Sequence, residues 1–94
     1  MLLEPLRHYL QEVECAVGNL QGVYVERYQE EIFTPERLNL RIRIRFSQGF
    51  LLELNEAVVV EAGTIGQLAY RYHFQDERNR VIFRYDNTPH FPEL

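Results

Sequence analysis

The stretch Leu38-Asn39-Leu40-Arg41-Ile42-Arg43-Ile44-Arg45-Phe46-Ser47 decides how this chain folds. Apolar and polar residues alternate strictly along it, the pattern of a strand with one buried and one wet face. Upstream, residues 23–33 are rich in β-branched and aromatic side chains and close on Thr34-Pro35-Glu36, which predicts a preceding strand. Downstream, the same criteria predict strands over residues 50–60, 67–75 and 81–86, with Gly63 and Gly66 bracketing the link between the first two of these. Only ahead of Gly22 does the period change to 3.6. Leu6, Tyr9, Leu10, Val13, Val17 and Leu20 recur at steps of three and four, which predicts a helix over residues 4–19. Pro5 suits its first turn, and Gly18, Asn19 and Gly22 let the chain leave it.

Turn chemistry sets the registers, because a slip of one residue moves every side chain of a strand to the other face. A three-residue loop Ser47-Gln48-Gly49, with Gly49 left-handed, pairs Phe46 with Phe50, Ile44 with Leu52 and Ile42 with Leu54, and sets Arg43 opposite Glu53. For the last hairpin, a two-residue loop Arg78-Asn79 pairs Phe74 with Phe83 and Tyr72 with Tyr85. His73 then stands opposite Arg84, and Arg71 opposite Asp86. The expected architecture is α+β, with one N-terminal helix on the apolar face of an antiparallel sheet of about five strands, and residues 1–94 forming a single domain.

Composition agrees with a folded, water-facing protein. The 94 residues are 46% hydrophobic and 26% charged, against intrinsic disorder, and no apolar run approaches the roughly 20 residues that span a bilayer. The lone Cys15 allows no internal disulfide, and the N-terminus lacks the features of a secretory signal, so a reducing cytoplasm is expected. The net charge of −4 argues against nucleic acid only on average. All ten basic residues are Arg, a side chain suited to two-pronged contacts with carboxylate or phosphate, although base composition explains missing Lys equally well. The open sheet face is predicted to carry Arg41, Arg43, Arg45, Glu53, Asn55, Arg71, His73, Gln75, Arg84 and Asp86. That gives it a formal +3 and leaves −7 on the rest of the chain.

On this face His73, Arg84 and Asp86 are the candidate catalytic residues, and Arg41, Arg43, Arg45, Arg71 and Gln75 the candidate substrate-binding ones. A His flanked by Arg can move a proton on a phosphodiester while guanidinium groups hold the phosphate, as in small ribonucleases that use RNA's own 2′-hydroxyl. No metal is then required. Polar cross-strand pairs also occur without function, each stabilising a sheet by about 0.2–1 kcal/mol. The stripe Arg41, Arg43, Arg45 has the same two readings, a solvated face or a groove for single-stranded RNA or an acidic partner. His8, His73 and His90 lack zinc-site spacing, and no phosphate loop, nucleophile elbow or dinucleotide fingerprint is present, so neither metal nor cofactor is expected.

The segment Tyr70-Arg71-Tyr72-His73-Phe74-Gln75-Asp76, followed by Ile82-Phe83-Arg84-Tyr85-Asp86-Asn87-Thr88-Pro89-His90, resembles the signature of the TumE-like toxin family. Phe46-Ser47-Gln48-Gly49 leading to Leu54 and Glu56 resembles the family's middle hairpin more loosely. Relatives tend to carry a second His where Phe91 stands. The resemblance implies a toxin of a toxin–antitoxin pair, with a helix-turn-helix antitoxin as partner. The expected function is thus a toxin that binds or cleaves RNA through the Arg-rich face, with a metal-independent ribonuclease as the enzymatic form of that reading. The rival is a small interaction module that binds a protein or nucleic acid and breaks no bond. A homodimer, formed through a sheet edge or through residues 87–94, whose Pro89 and Pro92 favour extended docking, is a third reading.

Overall fold

The computed structural model describes residues 2–87. Helix α1 (Glu4–Gly18) is followed by strands β1 (Val23–Thr34), β2 (Arg37–Phe46), β3 (Leu51–Glu61), β4 (Thr64–Gln75) and β5 (Val81–Asp86). The strands form one antiparallel sheet in chain order, as short hairpin connections dictate, with β1 and β5 at its edges. Leu6 and Leu10 of α1 are buried against Leu38, Leu40, Ile42, Ile44, Val58 and Val60, with Tyr9, Val13 and Val17 packed around them. Leu20, expected in the helical stripe, lies beyond the helix end and is exposed. Pro89 and Pro92 of the expected docking tail, and His90, lie outside the described residues.

The β2–β3 hairpin has the predicted loop and register. Gly49 adopts φ +94°, the Gly49 amide donates to the Phe46 carbonyl at 2.8 Å, and Ile44 and Ile42 face Leu52 and Leu54. The last hairpin keeps the predicted register by a different route. Its loop is not Arg78-Asn79 but Glu77-Arg78-Asn79, closed by the Asp76 amide donating to the Arg80 carbonyl at 2.9 Å, with Asn79 left-handed at φ +65°. Asp76 explains the longer loop, because its carboxylate accepts the backbone amides of Arg78 and Arg80. A bulge at Ile82 absorbs the extra residue, so Phe74 still meets Phe83 and His73 still meets Arg84.

Of three further register shifts, at Glu26, Phe33 and Leu68, two redirect side chains that matter below. One at Glu26 lets Val25 pair with Ile44 and Tyr28 with Ile42 on the helix side, while Glu26 turns to the opposite face. Another at Leu68 sets Gln67 against Val58 and Ile65 against Val60, so that Gln67 points toward the helix. Strand β4 consequently begins at Thr64, earlier than the expected residue 67.

Candidate functional site

The face away from α1 carries the predicted polar residues in rows. Arg43, Glu53, His73 and Arg84 are successive cross-strand partners from β2 to β5, and Arg41, Asn55, Arg71 and Asp86 form the adjoining row. His73 is the best-held member. Its ring nitrogen Nε2 donates to the Gln75 side-chain carbonyl at 2.8 Å, and the Gln75 amide donates to Oδ1 of Asn79 at 2.9 Å. This chain orients the imidazole and assigns its proton to Nε2, leaving Nδ1 as the acceptor of the neutral ring. Asn79 thus belongs to the site as well as to the loop.

The β2 arginines are placed as predicted but are not the open basic stripe that the charge split implied. Glu26 takes Arg43 Nε at 2.8 Å and Arg45 Nε at 3.1 Å, Glu53 lies 3.3 Å from Arg43, and Glu31 lies 3.7 Å from Arg41. Arg45 and then Arg43, by hydrogen bonding, hold the Glu26 carboxyl below the usual carboxylate range. The +3 therefore overstates the face, because β1 contributes acids to it. Arg71 on β4 and Arg84 on β5 lie nearest His73, and β1 adds Arg27, the cross-strand partner of Arg43.

A hollow of about 430 Å³ opens in the same face between Arg41 and Arg71. Its floor is Ala57 and Ala69, direct cross-strand partners, with Asn39 and Asn55 alongside. Oδ1 of Asn39 is buried there without a hydrogen-bond donor.

The helix-facing side holds a polar cluster that the strand patterning did not single out. Glu56 is buried among apolar neighbours and accepts hydrogen bonds from the Tyr9 hydroxyl of α1, the Gln67 amide and, at 2.6 Å, the Tyr72 hydroxyl. Burial first, and then the Glu56 hydrogen bond, push the Tyr72 phenol up to about 12 and raise that of Tyr9 further. Both phenols therefore remain donors at neutral pH. The signal was present in Leu52, Leu54, Glu56, Val58 and Val60, where one acid interrupts the inward-facing series.

Among the described residues no three His, Cys, Asp or Glu side chains are grouped to hold a metal, and no helix is long and apolar enough to cross a membrane. Cys15 is free and exposed.

One helix packed on a five-stranded meander, with an oriented His between Glu53 and Arg84 on the uncovered face, defines a small α+β protein with a polar open sheet face. The model of the toxin TumE family matches residues 9–94. The chain belongs to the TumE toxin family. No curated protein and no solved structure matches it.

Proposed function

We propose that this toxin acts on RNA, with His73 as the proton-transferring group and Arg71 and Arg84 as the phosphate-binding groups. The observation that carries the reading is the relay Asn79–Gln75–His73 beside Arg84, which orients an imidazole where a phosphodiester would meet two guanidinium groups. In the reaction, Nδ1 of His73 takes the proton of a 2′-hydroxyl as its oxygen attacks the adjacent phosphorus. The bond from phosphorus to the 5′-oxygen breaks, the proton ends on that departing oxygen, and the products are a 2′,3′-cyclic phosphate and a 5′-hydroxyl end. Arg84 and Arg71 offset the extra negative charge on phosphorus in the transition state, and Asp86, across from Arg71, steers that side chain. Arg41, Arg43 and Arg45 guide the strand by exchanging carboxylate partners for phosphates. The partner that silences the toxin is proposed to be a helix-turn-helix antitoxin, and the setting the cytoplasm.

Induced expression without the antitoxin tests this reading. Growth should stop, and cellular RNA should acquire cyclic-phosphate ends. Replacing His73 by Gln removes proton transfer, so cleavage should fall by about 10²–10⁴. Toxicity with intact RNA, or full cleavage by His73→Gln at equal expression, would leave the Arg face as a surface that binds without breaking bonds.

A further inference from the structure

We infer that the hollow between Arg41 and Arg71 seats one unpaired adenine nucleotide, fixing which position of an RNA strand is presented to His73. The inference rests on the proposed action on RNA and adds the base that the toxin selects. Three observations converge on the same few ångströms of sheet. The first is space, about 430 Å³, which suits a ligand of nucleotide size. It exists because Ala57 and Ala69, paired across β3 and β4, leave a low floor where neighbouring positions carry long side chains.

The second is charge. Arg41 and Arg71 flank Asn55 from the strands on either side, placing their Cα atoms about 9.6 Å apart across two strand spacings. Among the described residues Arg41 meets a carboxylate in the 3.7 Å approach of Glu31 and Arg71 stands across from Asp86, so each can exchange that neighbour for a phosphate. The third is an unmet acceptor, because Asn39 lines the hollow and its sheltered Oδ1 receives no hydrogen bond, so that turning the side-chain amide toward a ligand in the hollow costs no bond at that oxygen. A base that carries an exocyclic amino group can satisfy it. Adenine does so through its N6 amine while its N7 accepts from the same side-chain amide, the two-pronged match that Asn makes with this base. Uracil offers carbonyl oxygens instead and would leave Oδ1 unpaired.

Position links the seat to the chemistry. Arg71 and His73 are two residues apart on one strand face, about 6.8 Å, so a nucleotide held at Arg71 brings the next phosphodiester toward His73 and Arg84.

Titration of the intact, isotope-labelled protein with AMP, UMP and inorganic phosphate, followed by NMR, tests the seat. AMP should shift the amides of Asn39, Ala57 and Ala69 and bind at least about fivefold more tightly than UMP, the lower bound for one two-pronged base contact. Asn39→Ala should reduce AMP to the level of UMP. Ala69→Val, a β-branched residue that a strand accepts, should fill the hollow and abolish the shifts, with Ala57→Val as the second filling variant and thermal unfolding as the folding control. Equal binding of AMP and UMP, shifts elsewhere on the sheet, or AMP binding unchanged in both folded filling variants would overturn the inference. Mapping the ends that the wild-type toxin leaves on RNA separates the two readings. Cuts beside all four bases alike would remove the adenine seat alone, whereas AMP held as predicted with no RNA cut would remove the cleavage reading alone.

Discussion

Removing the Tyr9 hydroxyl should loosen the helix from the sheet to a measurable extent. Tyr9 is the residue of α1 that donates to Glu56, and Glu56 is 6% exposed. In Tyr9→Phe the ring still packs, but the carboxylate oxygen Oε1 loses its donor inside a largely dry interface, while Tyr72 and Gln67 continue to satisfy Oε2. A hydrogen bond to a charged group contributes about 1.5–3 kcal/mol. Because Tyr9 is itself only half-buried and water can reach part of the gap, the lower end of about 1.5 kcal/mol applies. For a chain of this size each kcal/mol moves the midpoint of thermal unfolding by about 4–8 °C, so Tm should fall by about 6–12 °C. Circular dichroism melts of the wild type, Tyr9→Phe, Glu56→Gln and the double variant form a cycle in which the two changes should couple by about 1 kcal/mol. A Tm unchanged in Tyr9→Phe, or strict additivity in the cycle, would refute the view that this bond fastens α1 to the sheet.

Three other outcomes are expected. Burial first, and then the nearness of the Glu14 carboxyl, raise the Glu30 carboxyl above its ordinary range. A raised carboxyl adds stability only below its unfolded value and loses it as pH climbs, so Glu30→Gln should raise Tm at pH 7 and lose that advantage near pH 4, as melts at the two pH values will show. Tyr72, pushed up to about 12, holds its proton more tightly folded than unfolded, so stability in urea titrations should decline between about pH 10 and 12, and less steeply in Tyr72→Phe. Glu26→Gln releases Arg43 and Arg45, so RNA oligonucleotide binding should tighten, with a logarithmic salt slope steeper by about 0.7 for each guanidinium that gains a phosphate. An unchanged slope would show that these two arginines never touch the strand.

The helix, the five strands and the pairing of the polar face were legible in the sequence because each depends on neighbours along the chain. Alternation from Leu38 to Phe46 names the inward residues, Gly49 names its loop, and the matching of apolar partners selects the register that sets His73 against Arg84. Bulges were not legible. An extra residue at Glu26, Leu68 or Ile82 is a compromise between two strands and a loop, and no local pattern marks it. Yet these bulges decide the electrostatics. Glu26 faces Arg43 and Arg45 because β1 must bring both Val25 and Tyr28 to the helix side, and Gln67 reaches Glu56 because β4 shifts at Leu68. The ion pairs of the β2 stripe, the three-donor cradle of Glu56 and the hollow over Ala57 and Ala69 join residues from two or three elements. Sequence determined which side chains each element has to offer, and tertiary structure decided which of them meet, because a contact across strands is set by the sum of all registers and not by any one of them.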